Sequence, residues 1–163
     1  MQNVHPPRAF SPSRLFQTAT APVPRAPPQP CGVDEQFVSL LSLYRGSGGL
    51  ARAEEVSEIF RHRDGPDAAT LAQWIVDKEV LSLEWQSATW LPLFQFKPAD
   101  MTPRPELAQV MAELNAVFDA WQLADWFAQP HACLARRTPV EALVSDPAAV
   151  LHAARAERFI ACG

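Results

Sequence analysis

No stretch of this 163-residue chain approaches the roughly 18 consecutive apolar residues that a membrane-spanning helix requires, so neither a membrane span nor a membrane partner is expected. Cysteine is scarce: Cys31, Cys133 and Cys162 are odd in number, widely spaced and form no C-x-x-C pair. That argues against a disulfide scaffold and against a four-ligand zinc site. His131 and Cys133, one residue apart, have no second pair of ligands near them in sequence. Glycine is limited to six residues, too few to suggest a loop that cradles phosphate, and none of the four histidines lies in a nucleophile motif. The expectation is a chain with no catalytic residues, no cofactor and no metal, working in the cytoplasm.

Acidic residues are missing from one region only. Residues 1–33 hold Arg8, Arg14 and Arg25 and no acid, a net charge of +3. Residues 34–163 hold 11 basic and 18 acidic residues, a net charge of −7. The body is therefore acidic, which speaks against a strong non-specific grip on a phosphate backbone. Eight of the 16 prolines precede residue 31, in segments such as Pro6-Pro7 and Ala26-Pro27-Pro28. They favour extended geometry and block helix and ladder hydrogen bonds, so residues 1–33 read as a disordered Pro-rich tail. No apolar run behind the early arginines supports a secretory signal.

From Asp34 onward the periodicity turns helical. Phe37, Leu40, Leu41 and Tyr44 recur at three- and four-residue spacing until Gly46 to Gly49 stop the helix. A second helix is expected from about Arg52 to His62, with Ala53, Val56, Ile59 and Phe60 on one face. After Asp64-Gly65-Pro66, Asp67 is placed to cap a third helix carrying Leu71, Trp74, Ile75 and Val76. Residues 80–85 and 89–96 read as two short strands of a hairpin, with Pro92 demoting the second to an edge or distorted strand. Helices followed by a hairpin give a winged helix-turn-helix-like layout over residues 34–97. Residues 98–163 read as a small helical domain. It contains the amphipathic run at 105–118, a short helix around Trp121 to Phe127, a capping box at Thr138-Pro139-Val140-Glu141 and a last helix opened by Asp146-Pro147. The fold class expected is mainly α with a short β-hairpin.

If the third helix reads DNA, its candidates are Thr70, Gln73 and Lys78, with Arg61 and Arg63 upstream for phosphates. Residues 50–97 nevertheless carry 5 basic and 8 acidic side chains. DNA contact would therefore call on a homodimer or on the basic tail. The alternative is that the helix-turn-helix is only a packing unit. Trp121, Trp126 and Phe127 are aromatics of the kind enriched at interfaces. Core packing is the expected role of Trp121 and Phe127, and Trp126 lies off their stripe.

Two stretches carry a resemblance. Leu91-Pro92-Leu93-Phe94-Gln95-Phe96 resembles the P-x-[FW]-Q-F strand that links a helix-turn-helix to a C-terminal helical domain in one set of bacterial proteins. The run from Trp121 through Trp126, Pro130, Leu134 and Pro139 to Leu143 resembles the signature of the Xre/MbcA/ParS antitoxin toxin-binding domain. It departs from that signature at His131, where asparagine is common, and at Ala135-Arg136, where a glycine turn is usual. The resemblance implies an antitoxin that binds and blocks a cognate partner, a RES-domain toxin that depletes NAD, and represses its own operator DNA. Among such proteins the C-terminal end can reach toward the toxin's active site, here Arg158-Phe159 and beyond. Trp126, Leu134, Arg136, Arg137, Arg158 and Phe159 are accordingly the candidate partner-binding residues. The alternative is a stand-alone interaction adaptor that never contacts DNA.

Overall fold

The computed structural model describes residues 32–163. The expected Pro-rich tail lies outside the described residues except for its last two, Gly32 and Val33, which open the first helix. The elements, in order, are α1 (Val33–Tyr44), β1 (Leu50–Arg52), α2 (Ala53–His62), α3 (Ala68–Val76), β2 (Leu83–Trp85), β3 (Ala88–Pro92), α4 (Pro105–Leu114), α5 (Ala120–Ala128), α6 (Pro139–Ser145) and α7 (Pro147–Cys162). The molecule is mainly helical with one small antiparallel sheet.

Local chemistry sets most of these boundaries. Asp67 caps α3 by accepting from the Thr70 amide. Asp119 with Gln122, and Thr138 with Glu141, form reciprocal capping boxes at α5 and α6. Prolines occupy the first helical turn of α4, α6 and α7, where the missing N–H costs nothing. The run expected as one helix over 105–118 instead ends at Leu114, because Asp119 starts a new cap only five residues on.

The sheet differs from the expected hairpin in extent and in order: the strands are shorter than residues 80–85 and 89–96, with Leu93–Gln95 in a 3₁₀ turn, and a third strand joins them. Three strands pair, in the order β1-β3-β2, so β3 is central and not an edge. Pro92 is tolerated because it is the last residue of β3, opposite Leu50 of β1. The pairing then passes to Leu93, whose amide donates to the Gly49 carbonyl at 2.9 Å.

The sheet separates two hydrophobic cores. Alternation along a strand sends neighbouring side chains to opposite faces. Ala51 and its partner Leu91 enter a smaller core with Val56, Phe60, Leu71, Val80, Phe96 and Met101. Leu83 and its partner Trp90 face a larger core built on α4 to α7 and on Leu40 and Tyr44 of α1. The boundary expected between residues 97 and 98 therefore has the larger core on both sides of it. An aromatic set ties α1 to the hairpin and to α5. Phe37 stacks on Trp85 at 3.9 Å and meets Trp90 and Trp121 edge-on. The buried Tyr44 hydroxyl donates to the Ala124 carbonyl at 2.7 Å. Burial, with the Asp125 carboxylate behind it, pushes that phenol far above its ordinary value.

Candidate functional site

The first candidate surface is α3. Leu71 is its buried residue, and Ala69, Ala72, Gln73 and Val76 are exposed. Val76 is 75% exposed, so this outward face is small and apolar rather than basic. Four of the five side chains expected to read or grip DNA are occupied within the chain. The Thr70 hydroxyl donates to Asp67 at 2.6 Å, which helps hold that carboxyl below its usual range. Gln73 donates its amide to Asp77 at 2.7 Å. Arg61 pairs with Glu58 at 3.3 Å, and Arg63 donates to the Pro98 carbonyl at 2.6 Å. Lys78 follows α3 in left-handed conformation with φ 56° and is exposed. Upstream, the exposed side of α2 carries Glu54, Glu55 and Glu58. The face has acceptors and apolar groups to offer, and few free cations.

The second surface is built around the 3₁₀ turn Ala132–Leu134 and the far end of α7. Here the structure divides the six candidates. Trp126 is 8% exposed and Leu134 is 2% exposed, both inside the larger core. Trp126 lies edge-on to Phe127 and within 5.8 Å of the His131 ring, and its indole N–H has no hydrogen-bond partner among the described residues. Trp121, expected to be core, is only half-buried and packs against that core from its edge. The aromatic stripe is thus rotated relative to expectation: α1 partly covers the Trp121 side, and Trp126 turns inward.

Ala135 and Arg136 both take left-handed backbone, with φ 53° and 63°. This is the position where the resembled signature carries glycine, and a side chain there costs about 1–2 kcal/mol per residue. Arg136 is exposed, and Arg137 bonds the Ser145 hydroxyl at 3.1 Å. His131 joins this turn to α7: its Nε2 lies 2.9 Å from a Glu157 carboxylate oxygen, while its Nδ1 accepts from the Cys133 amide. Accepting at Nδ1 places the proton of a neutral ring on Nε2, donated to Glu157.

One residue further along α7, Arg158 bonds Glu113 of α4 at 2.7 Å, and Arg155 bonds the same carboxylate at 3.0 Å. The two guanidinium groups, Arg158 first, hold the Glu113 carboxyl below its ordinary range. Beyond this anchor the helix exposes two large apolar side chains, Phe159 at 82% and Ile160 at 70%. Ile160 falls in the C-terminal end that the resemblance pointed to, whereas Glu113 was not legible as a site residue, because it acquires its role from a helix some forty residues away.

Among the described residues no group of three or more histidine, cysteine, aspartate or glutamate side chains could hold a metal ion, and no helix is long and apolar enough to cross a membrane. Comparison with protein-family models, with curated proteins and with solved structures finds no match to this chain.

Proposed function

We propose that this chain is an antitoxin-like regulator that binds a protein partner through the exposed end of α7 and blocks it sterically, with no catalytic group of its own. The observation that carries the reading is the Phe159–Ile160 pair, presented by a helix whose preceding turn is fixed to α4 through Glu113. Adjacent exposed large apolar residues on a held helix make an economical anchor for a partner pocket. A RES-domain toxin is the partner that the resemblance suggests, and the adaptor role is the alternative.

We read α1 to β3 as a winged helix-turn-helix. The succession helix, strand, two helices and hairpin, with sheet order β1-β3-β2, supports that reading. The neutral face of α3 and the acidic α2 favour a protein over DNA as what this unit touches. Operator binding would require Gln73 to release Asp77 and cations to arrive from a second copy or from the N-terminal arginines.

The test is a nuclease-treated pull-down of the tagged full chain from its host, beside the Phe159→Ala/Ile160→Ala double variant. One small protein should be retained in stoichiometric amount, and its expression alone should arrest growth. The double variant should weaken retention by about tenfold or more, with the melting temperature moving by less than about 2 °C because both side chains are exposed. A harmless partner would select the adaptor role. Equal retention by the double variant, or an empty eluate, would remove α7 as the anchor.

A further inference from the structure

Between α2 and the segment that follows β3 lies a cleft of about 310 Å³. Its walls include Ile59, Leu93, Phe96 and Met101, and Arg63 and Arg104 also line it. No aspartate or glutamate lines it, in a body whose net charge is −7. Neither guanidinium has a carboxylate partner among the described residues. Each is steadied by a backbone carbonyl, Arg63 by Pro98 at 2.6 Å and Arg104 Nε by Phe94 at 2.8 Å. A guanidinium has five N–H donors, so each retains others after these bonds. Asp100, which follows in the same segment, forms no ion pair with either arginine and does not line the cleft; its carboxylate accepts from the Thr102 amide and hydroxyl.

Two arginines beside an apolar trough, without an acid, are complementary to a molecule that is anionic at one end and greasy at the other. We propose that this cleft is a binding site for a small amphipathic carboxylate, an arylacetate or medium-chain fatty acid, with its tail on Ile59, Leu93, Phe96 and Met101 and its carboxylate on Arg63 and Arg104. At roughly 30 Å³ per water-sized group the volume accepts a ligand of about ten non-hydrogen atoms, near the lower end of ordinary ligand pockets. The local fold makes the site. Gly48, at φ 105°, brings the start of β1 so close to Leu93 that an added Cβ would stand 3.2 Å from the Leu93 Cβ. The Arg104 amide donates to the Gln95 carbonyl, closing the other end of the segment. Phe94 belongs to the larger core and Phe96 to the smaller one, so an occupant would touch a segment shared by both. The site is independent of the α7 surface.

Calorimetric titration of the full chain with phenylacetate and with octanoate tests this, beside phenylacetamide as the uncharged counterpart. One of the acids should saturate a single site, and whichever binds more tightly identifies the aryl or the acyl class. Phenylacetamide should bind at least about tenfold more weakly than phenylacetate if the aryl acid is the ligand, since charge-assisted bonds are about twice as strong as neutral ones. Arg63→Gln/Arg104→Gln should lose the acids by about tenfold or more. Ile59→Trp, which fills the cleft from the half-buried face of α2, should weaken acids and amide alike. No saturation by either acid below about 5 mM would overturn the site, as would unchanged acid affinity in the Trp variant. Equal binding of phenylacetate and phenylacetamide by the unsubstituted chain would overturn the arginine role without depending on any variant's folding.

Discussion

Gln95 is the fully buried polar side chain of the described residues, and it behaves as a piece of backbone. Its carbonyl accepts from the Leu81 amide at 2.7 Å while its own amide donates to the Leu81 carbonyl at 3.0 Å. A single side chain thereby pairs the segment after α3 with the segment after β3. Leu81 is buried, so water cannot replace these bonds. Gln95→Leu preserves size and removes both partners. It should cost about 3 kcal/mol, because the penalty is that of leaving a buried donor and acceptor unmade, and lower the melting temperature by on the order of 10 °C. Thermal denaturation measures it, and a loss under about 1 kcal/mol would mean that the backbone relaxes to find other partners. None of this was legible in the strand motif, where the glutamine reads as an ordinary polar residue between two phenylalanines. Motif spacing places a residue in the chain but does not say which distant peptide group it will satisfy.

At the scale of elements, caps were the most readable feature. Asp67, Thr138 and Asp146 cap where the local sequence places them, because a cap involves only residues three positions apart. β1 was not readable: three residues carry no periodicity, and only pairing with β3 some forty residues away makes them a strand. Spacing placed Trp121 in the core and Trp126 off its stripe, whereas Trp126 is the more buried of the two, since which face of α5 is covered depends on α1 and the hairpin. The end of α7 offers a test at the same scale. Glu113 is held ionised by Arg158 and Arg155. A carboxylate whose folded value is depressed stabilises the contact fully above its ordinary value, about pH 4.3, and loses that contribution as pH falls through the lowered folded value. Carbon chemical shifts of residues 155–162 should therefore stay helical at neutral pH and move toward coil on acidification. Glu113→Gln should show the loosened shifts already at pH 7 and lose the acid dependence. Shifts of the unsubstituted chain that ignore pH would show that packing alone holds this end.

For the molecule as a whole, the sheet is the decisive element. It is a wall with a core on each face, and its central strand sends Leu91 to one and Trp90 to the other. Composition and periodicity suggested two consecutive units, which would permit two independent transitions. Across the two, α1 of the first packs against α5 of the second through Phe37, Tyr44 and the Gln36–Asp125 bond at 2.9 Å. Opening either core would strip one face of the same three strands, two of them only three residues long, and leave its apolar side chains facing water. The chain should accordingly unfold as one cooperative unit. Leu71→Ala in the smaller core and Leu114→Ala in the larger should each cost about 3 kcal/mol and shift a single shared transition. Calorimetric and van't Hoff enthalpies should agree in both variants. If Leu71→Ala instead splits the melt, leaving the transition of the α4–α7 core where it was, the sheet does not couple the halves, and an occupant of the Arg63–Arg104 cleft could stabilise only the smaller one.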